Sequence, residues 1–134
     1  MAIDYGTKRT GIAVTDINRI IATPLETVAS HELLKFIQTY SQRESVDEFV
    51  VGMPKTLSNE DSETAPLVRK FVDVLQKAFP DKTVHLADER FTTSMALQAM
   101  IDGGMKKKDR QVKGAVDKVS ATIILQTFLD TTRR

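Results

Sequence analysis

Four acidic residues occupy unusual places in the sequence. Asp4 follows Met1–Ile3, an apolar segment that predicts a buried strand, while Asp88 and Glu89 directly follow TVHLA, which predicts another. Asp117 lies near the start of the predicted final helix. Aspartate is a poor strand former, and a carboxylate inside a protein is unfavourable unless another group pairs with it. These positions therefore indicate acids with a chemical task.

Three of these carboxylates, those of Asp4, Glu89 and Asp117, are expected to meet at one edge of a sheet. Ligands of open sheets collect outside the carboxyl ends of parallel strands, where Asp4 and Glu89 emerge if their strands are parallel. Asp117 shares its helical face with small and apolar residues that suit packing on a sheet, namely Ser120, Ala121, Ile124 and Phe128. Carboxylate oxygens, in a chain without cysteine, favour the hard cations Mg²⁺ or Mn²⁺.

Each acid also has a purely structural alternative. Asp4 could accept backbone N–H groups of the turn that follows it. Asp117 could be a first-turn acid favoured by the helix dipole. Glu89 could pair with Arg90 or Lys82. Taken together, the three acids favour a shared metal site over three unrelated structural roles, and Asp4, Glu89 and Asp117 are the predicted catalytic residues.

A turn with the sequence YGTKRT follows Asp4 and is bracketed by Gly6 and Gly11. Glycines permit close backbone approach, so this turn, with Lys8 and Arg9, could bind a phosphate. The pattern is not specific, because hairpin turns look similar and sugar kinases and actins hold nucleotide phosphates with a similar Asp-x-Gly-Thr. The sequence leaves three partners open for Arg9, namely a phosphate, Asp16 or Glu89.

One dense basic cluster precedes the final helix, and it consists of Lys106, Lys107, Lys108, Arg110 and Lys113. A run of charges is usually a solvated surface. Its place beside Asp117 also suits a clamp on a nucleic-acid backbone, together with Lys8, Arg9 and Arg90. These eight residues are the predicted nucleic-acid contacts.

The composition limits the class of protein. A chain of 134 residues and 15.0 kDa suits a single domain over residues 1–134. The absence of cysteine excludes disulfides, thiolate catalysis and cysteine-ligated metals. A net charge of +1 provides no global attraction for a polyanion. No apolar run has the length of a membrane span and no export signal is visible, so a cytoplasmic location is expected.

The order of predicted elements is three strands, helix, strand, helix, strand, helices. The strands are predicted at Ala2–Asp4, Gly11–Thr15, Ile20–Ala22 (ending before Pro24), Phe49–Met53 and Thr83–Ala87. Four helices are predicted. The first follows an N-cap at Ser30, and the second carries an apolar stripe of Leu67, Phe71, Leu75 and Ala78. The third runs from Thr92 or Thr93 to Ile101 and is ended by Gly103–Gly104, and the last spans Ala115–Leu129. This alternation predicts an α/β fold, with a mixed five-stranded sheet of an antiparallel meander plus parallel strands, and helices on both faces.

Four motifs of the chain, in order, resemble those of the YqgF family, also called RuvX. DYGTKRTGIAVTD resembles the family signature D-[FY]-G-x-x-R-x-G-x-A-x-[ST]-D, and VVGMP resembles its V-G-[LM]-P strand end. DERFTTSMA and DKVSATIIL resemble its D-E-R-[FL]-[ST]-T-x-x-A and D-x-x-[AS]-A-x-x-[IL]-L elements. Three residues precede Asp4, fewer than relatives carry there, which leaves open whether the natural chain starts upstream of Met1.

The resemblance implies a ribonuclease H-like fold and metal-dependent hydrolysis of phosphodiester bonds, with the family's acids at Asp4, Glu89 and Asp117. Its members are described as nucleases that mature the 5′ end of 16S ribosomal RNA and as Holliday junction resolvases. The implied partners are structured RNA or branched DNA. Symmetric junction cleavage would call for a homodimer, and RNA maturation for ribosome-associated factors. The rival interpretations are a non-catalytic nucleic-acid-binding module and, less favoured, a small nucleotide-binding phosphotransferase.

Overall fold

A mixed β-sheet of five strands forms the centre of the protein. The computed structural model describes residues 1–53, 64–88, 98–110 and 114–132, apart from the side chains of 109 and 110. The strands are β1 (Ala2–Asp4), β2 (Arg9–Thr15), β3 (Ala22–Ala29), β4 (Glu48–Met53) and β5 (Thr83–Asp88). A 3₁₀ turn (Ser30–Glu32) leads into α1 (Leu33–Arg43), and the other helical segments are α2 (Ala65–Ala78), α3 (98–102), α4 (Lys107–Arg110) and α5 (Ala115–Thr132).

The sheet order is β3-β2-β1-β4-β5. β1 pairs antiparallel with β2 and parallel with β4, and β4 pairs parallel with β5. The predicted combination of a meander and parallel strands is therefore confirmed. Because β1 is the central strand, its carboxyl end has neighbouring strands on both sides.

Helices cover both faces of the sheet, as predicted. On one face, Leu33 and Ile37 of α1 and Val68 of α2 pack in a buried cluster with Ile3 and Phe49. On the other face, α5 packs on the sheet in a second cluster whose buried members are Ala2, Ala13, Val50, Ala121, Ile124, Leu125 and Leu129. This division assigns each strand residue to the α1/α2 face or to the α5 face.

One strand and one helix differ in detail from the prediction. β3 does not end before Pro24 but runs through it, beside a register shift between Ile12 and Ala13 of β2. β3 is an edge strand, where a residue without an N–H group removes no bond from a central ladder. In α2, Leu67 of the predicted apolar stripe is 43% exposed, and Val68 is buried in its place. Ala78, the last residue of the predicted stripe, is exposed as well, whereas Phe71 and Leu75 are buried as predicted. The buried stripe of α2 is therefore Val68, Phe71 and Leu75.

Helix ends follow the sequence in one case and depart from it in another. Gly103 and Gly104 end α3 as predicted, with Gly104 at φ +80° and the Met105 N–H donating to the Met100 carbonyl oxygen. The start of this helix, predicted at Thr92 or Thr93, lies outside the described residues. Ser30 does not cap α1, because its hydroxyl bonds elsewhere. In the described part of the chain, no helix is both long and apolar enough to cross a membrane.

Candidate active site at the carboxyl edge of the sheet

Asp4 is the last residue of β1 and lies half-buried at the carboxyl edge of the sheet. Side chains alternate along a strand, and Ala2 packs in the α5 cluster, so Asp4 belongs to the α5 face as well. Its Cα partner on β2 is Gly11. The sequence thus positions one carboxylate at a sheet edge, beside a residue that has no side chain.

The backbone of α5 comes into close contact with the sheet at Gly11. A Cβ atom on Gly11 would lie 1.9 Å from the carbonyl oxygen of Asp117 and 2.9 Å from the backbone N of Lys118. Paired Cα atoms of antiparallel strands are about 4.5–5.5 Å apart. Asp117 therefore contacts the β2 residue that pairs with Asp4, so two of the three predicted catalytic acids lie beside Gly11.

A second glycine fixes the start of α5 on the sheet. Gly114 is buried, has φ +91°, and would place a Cβ atom 2.9 Å from the Thr27 Cγ2 atom. The Thr27 hydroxyl donates to the Gly114 carbonyl oxygen at 2.7 Å. Thr27 is also the Cα partner of Gly11 on the outer strand. Together these contacts align the first turn of α5 with the sheet row that contains Asp4.

Arg9 pairs with Asp117, a partner that sequence reasoning did not consider. Its Nε atom donates to Asp117 Oδ2 at 3.2 Å, and the two side chains are 39% and 28% exposed. Arg9 is the first residue of β2 and lies two positions before Gly11, on the same face. The alternative pairing with Asp16 is wrong, because Asp16 Oδ1 instead accepts the N–H groups of Ile20 and Ile21.

A hydroxyl network holds the turn that follows Asp4. The Ser30 hydroxyl donates to the Gly6 carbonyl oxygen at 2.5 Å and lies 2.8 Å from the fully buried Thr10 hydroxyl. The Ser30 N–H donates to the carbonyl oxygen of Lys8. Sequence reasoning missed this role because Ser30 also fits an N-cap. The signal available for Thr10 was strand alternation with Ile12, which indicates that Thr10 faces the α1/α2 core.

The third predicted acid, Glu89, lies outside the described residues. β5 ends at Asp88, the Cα partner of Met53 on β4. Ala87 packs against the α5 cluster, so alternation assigns the exposed Asp88 to the opposite face. Among the residues that the structure describes, no three acidic or histidine side chains form a group that could hold a metal ion.

The basic residues are only partly described. Lys8 is exposed in the turn after Asp4, and Lys106, Lys107 and Lys108 are exposed immediately before and within α4. Arg110 ends α4, whereas Arg90 and Lys113 lie outside the described residues. The described lysines are therefore accessible to solvent, as binding to a polyanion requires.

Tyr5 and His85 have packing roles in the structure. Tyr5 stacks on Phe71 with ring centroids 5.2 Å apart. His85 bonds Glu48 Oε1 at 3.1 Å and packs against Phe128, away from the carboxyl edge. Neither residue adds a ligand to the carboxylates.

The sheet order, the helix layers and the acid at the end of the central strand define a ribonuclease H-like fold. A solved structure described as a complex of Fowlpox virus resolvase and substrate Holliday junction DNA has the same fold, with a TM-score of 0.61. The match covers 98% of this chain and 97% of that chain at 10% sequence identity.

Sequence comparison defines the family. Residues 1–131 match the family described as "RuvX: Holliday junction resolvase". A protein of Phocaeicola vulgatus named "Putative pre-16S rRNA nuclease" is 54% identical over 130 residues, with 97% of this chain and 94% of that protein covered. A Bacteroides fragilis protein of the same name is 53% identical over 133 residues, with 99% and 96% covered. The chain belongs to the RuvX family, and it is an enzyme of the nuclease class, which hydrolyses phosphodiester bonds.

Proposed function

We propose that the chain is a single-domain, metal-dependent nuclease whose catalytic acids are Asp4, Asp117 and Glu89. The observation that supports the proposal is that Asp4 pairs with Gly11 on the sheet while the backbone of Asp117 packs against the same glycine. Glu89 follows the end of β5 directly in the chain, two strands from β1 in the same sheet.

The described residues fit a hard divalent cation, Mg²⁺ or Mn²⁺. Asp4 and Asp117 offer only carboxylate oxygens, the ligands that such cations prefer. The Asp117 carboxylate already accepts a cationic group, the Arg9 guanidinium, so a positive charge is compatible with this place. When bound, divalent ions in such sites activate water as the nucleophile and stabilise the leaving oxygen.

The remaining residues of the site serve to hold phosphates. Lys8 and Arg9 flank the turn after Asp4, and the exposed lysines 106–108 precede α5. Cationic side chains of this kind can contact the phosphates of a nucleic acid, and phosphate contacts carry no base-sequence information. We therefore propose Arg90, Arg110 and Lys113 as further phosphate contacts, and recognition by shape or of single strands.

The proposed substrates are the 5′ end of precursor 16S ribosomal RNA and the four-way DNA junction. The relatives' name supports the first, and the family description and the Fowlpox virus complex support the second. Junction resolution would need two sites and hence a homodimer, whereas RNA maturation would involve ribosome-associated factors. Because these nucleic acids are cytoplasmic in bacteria, a cytoplasmic location is part of the proposal.

Cleavage assays on three labelled substrates test this function: a four-way DNA junction, a 16S ribosomal RNA precursor, and single-stranded RNA of unrelated sequence. Each is incubated with wild type, Asp4→Asn or the control Asp73→Asn, which changes an exposed acid of α2. We expect cutting that requires Mn²⁺ or Mg²⁺, is lost in Asp4→Asn and is retained in Asp73→Asn. Substrate binding without cutting by folded wild type would favour the non-catalytic binding module instead.

A further inference from the structure

The pair formed by Arg9 and Asp117 places a cation on a carboxylate that the proposed function assigns to metal binding. The two side chains are joined by a single hydrogen bond, from Nε to Oδ2 at 3.2 Å. Within the described residues, the terminal nitrogens of this guanidinium have no hydrogen-bond partner. A one-point, partly exposed contact of this kind is weak and easily exchanged, in contrast to a bidentate arginine–carboxylate pair.

The charges around Arg9 favour its pairing with Asp117 when no metal ion is bound and disfavour it when one is bound. Asp4 and Asp117 both lie beside Gly11, so without a metal ion their like charges disfavour each other, and a guanidinium on Asp117 offsets one of those charges. A second cation on Asp117 would repel the guanidinium in turn. Arg9 begins β2 next to the exposed Lys8, so its side chain can turn towards solvent, where a substrate phosphate would lie.

We propose that Arg9 is an exchangeable partner of Asp117. Arg9 neutralises the carboxylate while no metal ion is bound, and it moves to a substrate phosphate when a divalent cation takes its place. Arginine suits both partners, because its fork of donors matches carboxylate and phosphate alike. The proposal rests on the proposed function, and it makes phosphate binding by Arg9 conditional on metal loading.

The exchange predicts that removing Arg9 has opposite effects on metal and on nucleic acid. Loss of a competing cation strengthens metal binding, whereas loss of a phosphate contact weakens binding of the nucleic acid. A residue that only oriented Asp117 would weaken both when removed. A residue that only contacted phosphate would leave metal affinity unchanged.

The first experiment is Mn²⁺ titration by calorimetry without nucleic acid, on wild type, Arg9→Met and Asp117→Asn. The matched control is Arg19→Met, since Arg19 is a half-exposed arginine that pairs with Asp47 and Glu48 away from the site. We expect Arg9→Met to bind Mn²⁺ about two- to five-fold more tightly than wild type, the range set by a partly exposed ion pair. Arg19→Met should match wild type, and Asp117→Asn should bind weakly.

The second experiment measures binding of a four-way DNA junction as a function of salt, with Ca²⁺ or with EDTA. Ca²⁺ takes the same oxygen ligands. Each phosphate contact contributes about one unit to the slope of log K against log salt. We expect Arg9→Met to flatten this slope by about one unit relative to wild type in Ca²⁺ and to leave it unchanged in EDTA. Comparison with Arg19→Met removes the general effect of divalent ions on DNA.

The outcomes separate this proposal from the proposed function. If wild type binds Mn²⁺ and Asp117→Asn does not, while Arg9→Met binds Mn²⁺ equally or more weakly, the exchange is wrong and the metal site stands. If wild type and Asp117→Asn bind Mn²⁺ equally poorly, the metal site fails and the exchange fails with it. Thermal melting of every variant checks folding, and Arg9→Lys, which keeps the charge, provides a second variant with an intermediate effect.

Discussion

Replacing Gly11 with alanine should displace α5 and disable the site without unfolding the protein. The added Cβ atom would lie 1.9 Å from the Asp117 carbonyl oxygen, whereas ordinary contact begins near 3.4 Å. The helix must therefore retreat by about 1.5 Å, since neither backbone can yield by rotating a side chain. Overpacking of this kind costs about 1–3 kcal/mol. For a domain of this size, the midpoint of thermal unfolding should fall by about 3–12 °C.

The effect on cleavage should exceed the effect on stability. A misplacement of about 1 Å in a catalytic group can reduce activity about 100-fold, and this shift moves the backbone of Asp117 itself. The assay is metal-dependent cleavage at a temperature where all variants are folded, with melting followed by circular dichroism. A loss of activity of this size, together with weaker Mn²⁺ binding, is the expected result.

Two variants make the result interpretable. Gly103→Ala adds the same methyl group where the nearest atom, the Ala99 carbonyl oxygen, is 3.3 Å away, and it should leave both activity and stability close to wild type. Leu125→Ala removes a buried side chain further along α5 and should cost about 2–5 kcal/mol while the folded fraction retains its activity. Wild-type melting and cleavage by Gly11→Ala would refute the close contact between helix and strand.

Three further substitutions test other parts of the fold. Gly114→Ala should destabilise the protein more than Gly104→Ala and should also reduce cleavage. Both glycines have positive φ, but only a Cβ atom at Gly114 would meet a neighbouring side chain. Melting curves and cleavage rates of the two variants test this. Thr10→Val should lower the free energy of unfolding by about 1 kcal/mol in a urea titration, since it removes a buried hydroxyl that bonds to the Ser30 hydroxyl. Thr131→Val, at the exposed end of α5, is the control and should lower it less. Backbone N–H groups lower the pKa of Asp16 below its ordinary value of 3.8. The ionised Asp16 carboxylate therefore stabilises the fold above pH 3.8, and this stabilisation is lost as the pH falls through the lower pKa of the folded state. Asp16→Asn should therefore lose less stability than wild type on acidification, and equal slopes in melting experiments across this range would contradict that.

The sequence contained most of the fold because its strongest signals were local. The continuous apolar run at Phe49–Met53, ended by Pro54, favours a buried strand, and Gly103–Gly104 favours a helix end; the structure confirms both predictions. Pro24 misled because its place in a strand depends on which strand is at the sheet edge, a property of the whole topology. A local sequence pattern does not show which strand will be at the edge of the sheet.

The candidate site was only partly predictable for the same reason. Asp4 and Asp117 could be selected because each stands at the end of an element with a clear apolar pattern. The partner of Arg9 could not, because the contact joins residues 108 positions apart and depends on a helix crossing a strand at Gly11. The bond of Ser30 to Gly6 likewise requires knowledge of which loops share a sheet edge.

The contact between β2 and the start of α5 also has a consequence for the order of events during folding. Asp4 and Gly11 come from the first hairpin, which can form early because its contacts are local, whereas the helix that bears Asp117 is the last element of the described chain. Contacts over such long sequence separations form slowly, since the intervening loop must close first. With Asp117 as the proposed catalytic acid, we expect nuclease competence to be acquired late, after the hairpin and the parallel strands are in place. Cleavage activity would thus report, more directly than overall secondary structure, whether the final helix has docked.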